Sequence, residues 1–381
     1  MSGYAATFEQ LRDWLFDAAL PLWSTVGTDH VHGGFHEKLT TDGRPTDDPR
    51  RARVVGRQIY SFATAVRLGW TGEGREIVRH GLDFLERHLI SETDTVVPLV
   101  TPEGRRLATG FDLYDQAFVL FGLAAAAAIG ERSETVVPLA SRLRDRMIAG
   151  WRHPEAGFEE ARPRQLPLKA NPHMHIFEAS LAWVEAGGDA AWQALADEIA
   201  ELCLRRFLDP ATGALREYFD GDWRRLDGDG LDVVEPGHQA EWAWLLMRWG
   251  RARGRPDALA AAAALMRVIE EHGISETQGL AVNELNGDLS MRDPRLRLWP
   301  QTERIKGWVG RRALIAEDAA AAAACDARIA EHGRQLFRYF EHPVRGAWWE
   351  HLDPSGRPMP EPARASSLYH ITCAIAELAP A

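Results

Sequence analysis

Cys203, Cys325 and Cys373 are the only three cysteines in this chain of 381 residues. They are far apart and odd in number. They show neither disulfide nor metal spacing, and they suit a reducing compartment. No apolar run reaches membrane-spanning length, because charged residues interrupt the Ala-rich stretches. Positive charge is not in excess. The formal net charge is -11, which argues against a nucleic-acid partner. Met1 to Gln10 has no basic segment leading into an apolar core, so no secretory signal is read there and a cytoplasmic location is expected. Walker A, a dinucleotide fingerprint, HExxH and Gly-x-Ser-x-Gly are all missing. That speaks against a bound nucleotide, a zincin centre and a hydrolase nucleophile elbow. No linker or composition break divides the chain, so a single domain over 1–381 is expected.

What is present is a large core and a repeat. Hydrophobic residues make up 45% of the chain, and there are 14 tryptophans, most of them expected in the core. Apolar residues recur at helical period over roughly 7–25, 52–70, 74–90, 111–129, 134–150, 171–187, 189–207, 237–252, 256–273, 299–315, 317–340 and 366–378. Turn signals follow short apolar pieces at Asp42-Gly43, Glu103-Gly104, Asp220-Gly221, Asn286-Gly287 and Asp353-Pro354-Ser355-Gly356. Such turns flanked by apolar residues read as hairpins. Helix, hairpin loop and helix recur about every 60 residues. The expected fold is all-α, an (α/α)6 barrel with short β-hairpins in the loops on one face. An open helical solenoid is the alternative, but a common loop face favours closure.

The even-numbered helices begin with residues that a dry core would not choose. They carry Arg53, Arg57 and Tyr60; Tyr114 and Asp115; Asn171, His173 and His175; His238 and Glu241; Gln301 and Glu303; Tyr369 and His370. Buried polar groups cost free energy unless paired, so six such starts on one face point to a lined pocket. The stretch Glu235 to Leu246 is the centre of the pattern. Pro236-Gly237 breaks the preceding chain, and His238 and Glu241, three residues apart, share one helical face. Three histidines on separate helices, His175, His238 and His370, suit acid–base chemistry near neutral pH. Arg57 suits an oxygen that becomes negative in the reaction. Trp299, Trp242 and Tyr114 suit an aromatic wall for a sugar.

Each of these residues also has a structural reading. A histidine is often a satisfied core group, Arg57 an ion-pair partner, and Glu241 and Glu303 helix N-terminal carboxylates. Two rival chemistries are open to these residues. A metal could take His238, Glu241 and His370, whereas His173 and His175, two apart on a helix, cannot chelate together. A glycosidase could use Asp115, Glu241 and Glu303 as its carboxylates.

Several motifs resemble those of the N-acylglucosamine 2-epimerase family, which includes cellobiose 2-epimerases and mannose isomerases. They run in order along the chain: His32 to Phe35, Gly56-Arg57-Gln58-Ile59-Tyr60, Tyr114 to Phe118, Asn171 to His175, Glu235 to Leu246, Leu298 to Glu303, and Ser367 to His370. Gln116 stands where relatives often have histidine. The resemblance implies an (α/α)6 barrel and proton transfer through a cis-enediolate, with no metal or other cofactor. It implies that His238 and His370 form the acid/base pair and that Glu241 orients His238. His175 would help to open or hold the sugar ring, and Arg57 would bind oxygens at the reacting end. Tyr114, Asn171, Trp299 and Gln301 would contact the sugar. The mannose isomerase branch looks most similar, which gives D-mannose and D-fructose as the expected pair, with D-lyxose and D-xylulose as a further pair. A 2-epimerase is the alternative, and a non-catalytic sugar-binding barrel would not need the three histidines. The expected partner is a small monosaccharide, with no nucleic acid and no membrane, and the chain is expected to be a monomer or homodimer.

Overall fold

The computed structural model describes residues 3–228 and 230–380. The outer bounds of the expected domain, Met1, Ser2 and Ala381, lie outside the described residues, as do the first two positions of the stretch read for a signal. No helix among the described residues is long and apolar enough to cross a membrane.

Helices follow one another in inner and outer pairs. The chain opens with α1 (Ala5–Trp14), which runs through a π-helical turn into α2 (Leu20–Thr25). Then come α3 (Ala52–Arg67), α4 (Gly74–Phe84), α5 (Leu113–Ala128), α6 (Ser133–Trp151), α7 (Ala170–Glu185) and α8 (Ala190–Leu202). The series ends with α9 (Pro236–Arg253), α10 (Pro256–His272), α11 (Leu298–Leu314), α12 (Ala319–Phe340) and α13 (Ala365–Leu378). The periodic stretches at 74–90 and 189–207 reach their expected lengths once the π turns Leu85–Leu89 and Cys203–Phe207 are added to α4 and α8.

The odd-numbered helices from α3 to α13 pack in cyclic order, and α13 returns to α3. The even-numbered helices α4 to α12 each cover the inner helix before them, while α1 lies against α12 and α13. Burial follows from this arrangement. In α4 one face is buried, through Ile77, Val78, Gly81, Leu82 and Phe84. In α9 every residue from Pro236 to Met247 is buried. A helix without a polar face belongs inside a second ring. The approach of α3 to α5 depends on glycine, because a Cβ on Gly56 would lie 2.2 Å from the Phe118 carbonyl oxygen.

The hairpins differ from expectation in where they pair. Local pairing within a loop is present, as in Glu284–Asn286 with Met291–Asp293. The strand leading into an inner helix also pairs with the hairpin of the next repeat. Arg50–Arg51 pairs with Leu99–Val100, Leu168–Lys169 with Tyr218–Phe219, Val233–Val234 with Leu285–Asn286, and Leu296–Arg297 with His351–Leu352. The ring closes where Lys38–Leu39 meets Ala363–Arg364. Strands this short are not stable alone, and pairing across repeats satisfies the backbone just before each inner helix. The loop face is thereby stitched into one rim around the inner-helix N-termini.

Candidate active site

A common register explains which side chains meet. Counted from the first residue of each inner helix, the second position is Arg53, Tyr114, Asn171, Gly237, Trp299 and Ser366. The sixth is Arg57, Phe118, His175, Glu241, Glu303 and His370. The ninth is Tyr60, Phe121, Glu178, Trp244, Lys306 and Cys373. Second and sixth positions lie roughly 40° apart on a helix of 3.6 residues per turn, so both rings face the axis of the barrel.

A cavity of about 210 Å³ opens at the mouth. It is lined by Arg57, Tyr114, Asn171, His175, His238, Glu241, Trp299 and His370, together with Glu235, Arg297, Ser366 and Ser367. The residues read as catalytic or sugar-contacting therefore converge, with two exceptions, Gln301 and Trp242. Gln301 does not line this cavity. It occupies the fourth helical position, where it accepts from Ala281 N at 2.8 Å and donates to the Ala281 and Arg297 carbonyls at 2.9 and 2.8 Å. Gln239 holds Leu215 in the same way, Gln116 holds Val96 at longer range, and His173 accepts from Phe158 N. The fourth position clamps hairpin to helix, and Gln301 belongs to that set rather than to a sugar-contacting one. Burial lowers His173 to about 4, so it stays neutral. Trp242, expected as a wall residue, is fully buried beside Phe177 and Phe207.

The second correction concerns His238. Its Nδ1 lies 2.9 Å from Glu217 Oε1 and 3.7 Å from Glu235, and Glu241 is not its partner. His238 is the third residue of α9 and reaches the neighbouring hairpin, whereas Glu241 is the sixth and points to the axis. There Glu241 accepts from the Tyr369 hydroxyl at 3.1 Å and lies 3.9 Å from His175 and 3.8 Å from Lys306. His370 Nδ1 is 2.8 Å from Glu303 Oε1, and the other Glu303 oxygen meets Lys306 Nζ at 2.5 Å. His175 Nδ1 is 3.1 Å from Glu178, which also accepts from Tyr369 at 2.6 Å. All three imidazoles are thus held at Nδ1 by a carboxylate, which leaves Nε2 of each outside that contact.

The two principal histidines are driven to opposite charge states. Burial opposes charge on His238, but Glu217 and Glu235 overcome it and raise the group to about 10. Burial, with Arg57, Lys306 and His175 nearby, pushes His370 well below the ordinary imidazole value. These surroundings favour the charged form of His238 and the neutral form of His370. Trp299 lies against both, its ring 5.0 Å from that of His238 and 5.4 Å from that of His370. Gly237 makes that position possible, because a Cβ there would come within 2.3 Å of the indole. Arg57 donates to the Tyr114 hydroxyl at 2.7 Å and sits 3.9 Å over the Phe118 ring. A guanidinium, an imidazolium and a neutral imidazole around one small cavity can polarise a carbonyl, remove an adjacent proton and hold the resulting oxyanion.

The rival chemistries fare less well. Asp115 is held by Arg53 through Oδ1 at 3.1 Å and Oδ2 at 3.0 Å and does not line the cavity. Glu241 and Glu303 share the Lys306 ammonium beneath the histidines instead of flanking an open gap. Three groups bring possible metal ligands within 4.8 Å: His175, Glu178 and Glu241; Glu217, Glu235 and His238; and Glu241, Glu303 and His370. His238 and His370 fall in different groups, so the set His238, Glu241 and His370 does not assemble. In the deepest group the cation is already Lys306.

Sequence reasoning missed Glu217 and Lys306. A signal for Glu217 was present, since glutamate recurs in three of the hairpins as Glu37, Glu217 and Glu350. Lys306, a fully buried cation three residues after Glu303, gave only the ordinary helix spacing.

Comparison with known proteins concerns the chain as a whole. A family model described as N-acylglucosamine 2-epimerase matches residues 33–374. A mannose-6-phosphate isomerase of Rhizobium meliloti (strain 1021) is 44% identical, covering 97% of this chain and 96% of that protein. A D-mannose isomerase of Thermobifida fusca is 27% identical, covering 92% and 89%. A solved D-mannose isomerase structure has the same fold, with a TM-score of 0.87 at 19% identity, covering 99% of this chain and 98% of that one.

Proposed function

The chain belongs to the N-acylglucosamine 2-epimerase family, and from that premise we propose that it is an aldose–ketose isomerase interconverting D-mannose and D-fructose. What carries this reading is the meeting of His238 and His370 at one cavity, each held at Nδ1 by a carboxylate, in surroundings that raise the one and lower the other. Pairs of groups whose environments push them apart divide into acid and base. His370, neutral at Nε2, removes the proton from C2 of the open-chain aldose. His238 donates its Nε2 proton to the C1 carbonyl oxygen. The C2–H electron pair becomes the C1–C2 double bond of a cis-enediol, and Arg57 stabilises negative charge on the oxygens as it develops. His370 then returns its proton to C1 while His238 takes back the proton of the C2 hydroxyl, leaving a ketone at C2. One C–H bond and one O–H bond are broken and remade, so no redox partner is consumed. His175, held by Glu178, assists ring opening, and Tyr114, Asn171 and Trp299 hold the sugar. The chain works in this reading as a single (α/α)6 catalytic domain in the cytoplasm, without a cofactor.

A 2-epimerase of mannose/glucose or cellobiose type is the second reading. The same pair would serve it if His238 delivered a proton to the opposite face of C2. Incubation with D-mannose in D2O containing EDTA, followed by NMR, separates the two. D-fructose labelled at C1 is expected. Glucose labelled at C2 without fructose would replace the isomerase with the epimerase, and loss of turnover on adding EDTA would contradict the metal-free mechanism.

A further inference from the structure

The residues just before the six inner helices are Arg51, Asp112, Lys169, Glu235, Arg297 and Arg364. A helix N-terminus carries partial positive charge and favours an anion or a capping oxygen. Four of these six positions hold a cation instead, and none of those four makes a side-chain cap. The charges collect on one side of the mouth. Arg51, Arg297 and Arg364 join Lys38, Arg53 and Arg57 around a second cavity of about 410 Å³. This vestibule adjoins the histidine cavity, and Arg57, Tyr114, Arg297 and Ser366 line both.

Half of these cations are matched. Lys38 pairs with Asp48 at 3.2 Å, Arg51 with Glu37 at 2.5 Å and Arg53 with Asp115 at 3.0 Å. Of the other three, two have no ion pair among the described residues and one has a long one. Arg57 is 6% exposed, and its Nε is buried without a partner. Its Nη atoms reach only the Tyr114 hydroxyl and the Ser366 carbonyl. Arg297 makes no ion pair among the described residues, and its Nε is likewise buried without a partner. Arg364 has its carboxylate partner, Glu361, only at 3.5 Å. Two guanidiniums without an ion pair among the described residues and a third held at 3.5 Å leave the lining of this vestibule with excess positive charge in a chain of net charge -11, which suits a ligand that brings its own negative charge.

We infer that this vestibule, through Arg297 and Arg364, is a subsite for a phosphate monoester carried on the sugar at the end remote from the reacting carbons, while Arg57, which lines both cavities, stays with the reacting oxygens. Guanidinium forks match phosphate oxygens in bidentate geometry, and a tetrahedral dianion offers enough acceptors for several at once. The second ring of a disaccharide would call for an aromatic platform and hydroxyl partners. Here the only aromatic lining residue is Tyr114, and its hydroxyl is already taken by Arg57. The inference rests on the proposed isomerase for which end of the sugar lies at the histidines. The anion subsite does not depend on turnover.

The test is therefore a binding measurement beside a rate measurement. D-glucitol 6-phosphate and D-glucitol, which cannot be isomerised, are titrated by calorimetry at one fixed ionic strength. The ester should bind at least about 30-fold more tightly, and Arg364→Gln should remove about tenfold of that advantage. D-mannose 6-phosphate should likewise exceed D-mannose in kcat/KM, with the ratio falling in the variant. Equal affinity of the wild-type protein for the two glucitols overturns the subsite, whatever the variant does. Tight ester binding without turnover of either aldose upholds the subsite and overturns the isomerase. Turnover of D-mannose with no preference for the ester upholds the isomerase and overturns the subsite.

Discussion

Glu217 holds two inner helices at once. Its Oε1 lies 2.9 Å from His238 Nδ1 on α9, and its carbonyl accepts from Ala170 N, the first residue of α7, at 3.0 Å. The carboxylate orients the imidazole and favours its charged form. Glu217→Gln leaves the carbonyl contact in place and removes the charge. Circular dichroism should be unchanged, while kcat/KM for the aldose falls by about 10²–10⁴. The alkaline limb of the rate profile should also move to lower pH, because His238 would lose its proton earlier. An unchanged limb would remove Glu217 from the mechanism.

The same pair makes stability depend on pH. His238 is raised from 6.5 in the unfolded chain to about 10 in the folded one. The stabilisation is fully present below 6.5 and is lost as pH rises through about 10. Thermal melts between pH 6.5 and 10 should show a falling Tm for the wild type and a flatter trend for Glu217→Gln. Parallel slopes in the two proteins would contradict the assignment.

Beneath the histidines, Lys306 answers three buried carboxylates, Glu178, Glu241 and Glu303. Taking one member from a buried ionic cluster leaves uncompensated charge and costs about 3–5 kcal/mol. Lys306→Met should lower the denaturant midpoint by that equivalent. It should also raise the pH at which activity appears on the acid side, since Lys306 helps hold His370 low. A variant as stable as wild type would show that the carboxylates are neutralised in some other way.

Gln301 and Asn171 separate the clamp from the pocket. Gln301→Ala strands the Ala281 backbone groups and should cost about 1–3 kcal/mol, leaving KM near that of wild type. Asn171→Ala should instead raise KM with little change in stability. The reverse outcome would return Gln301 to the sugar.

Much of the architecture was legible because punctuation and burial coincide. Pro236-Gly237, Asp42-Gly43 and Asn286-Gly287 end one element and begin another, and inner helices read as apolar runs that nonetheless open on polar residues. Those openings pointed to Arg57, His175, His238 and His370, which the fold brings to one cavity. Three things were not legible, for physical reasons. Fourth and sixth helical positions lie roughly 200° apart, so Gln301 and Glu303 read alike in sequence while serving a hairpin and the barrel axis. The partner of His238 lies 21 residues back, just before the strand Tyr218–Phe219, and helix spacing pointed to Glu241 instead. The short strands pair across repeats, a choice set by ring closure rather than by any local turn.

The central claim is that His238 and His370 carry opposite protonation at one cavity. Nitrogen-15 NMR of histidine-labelled protein at pH 7.5, with assignment by His238→Gln and His370→Gln, reads this directly. The account predicts two protonated ring nitrogens on His238, and on His370 a protonated Nδ1 with a bare Nε2. A neutral His238 beside a charged His370, or the same state on both, would contradict it.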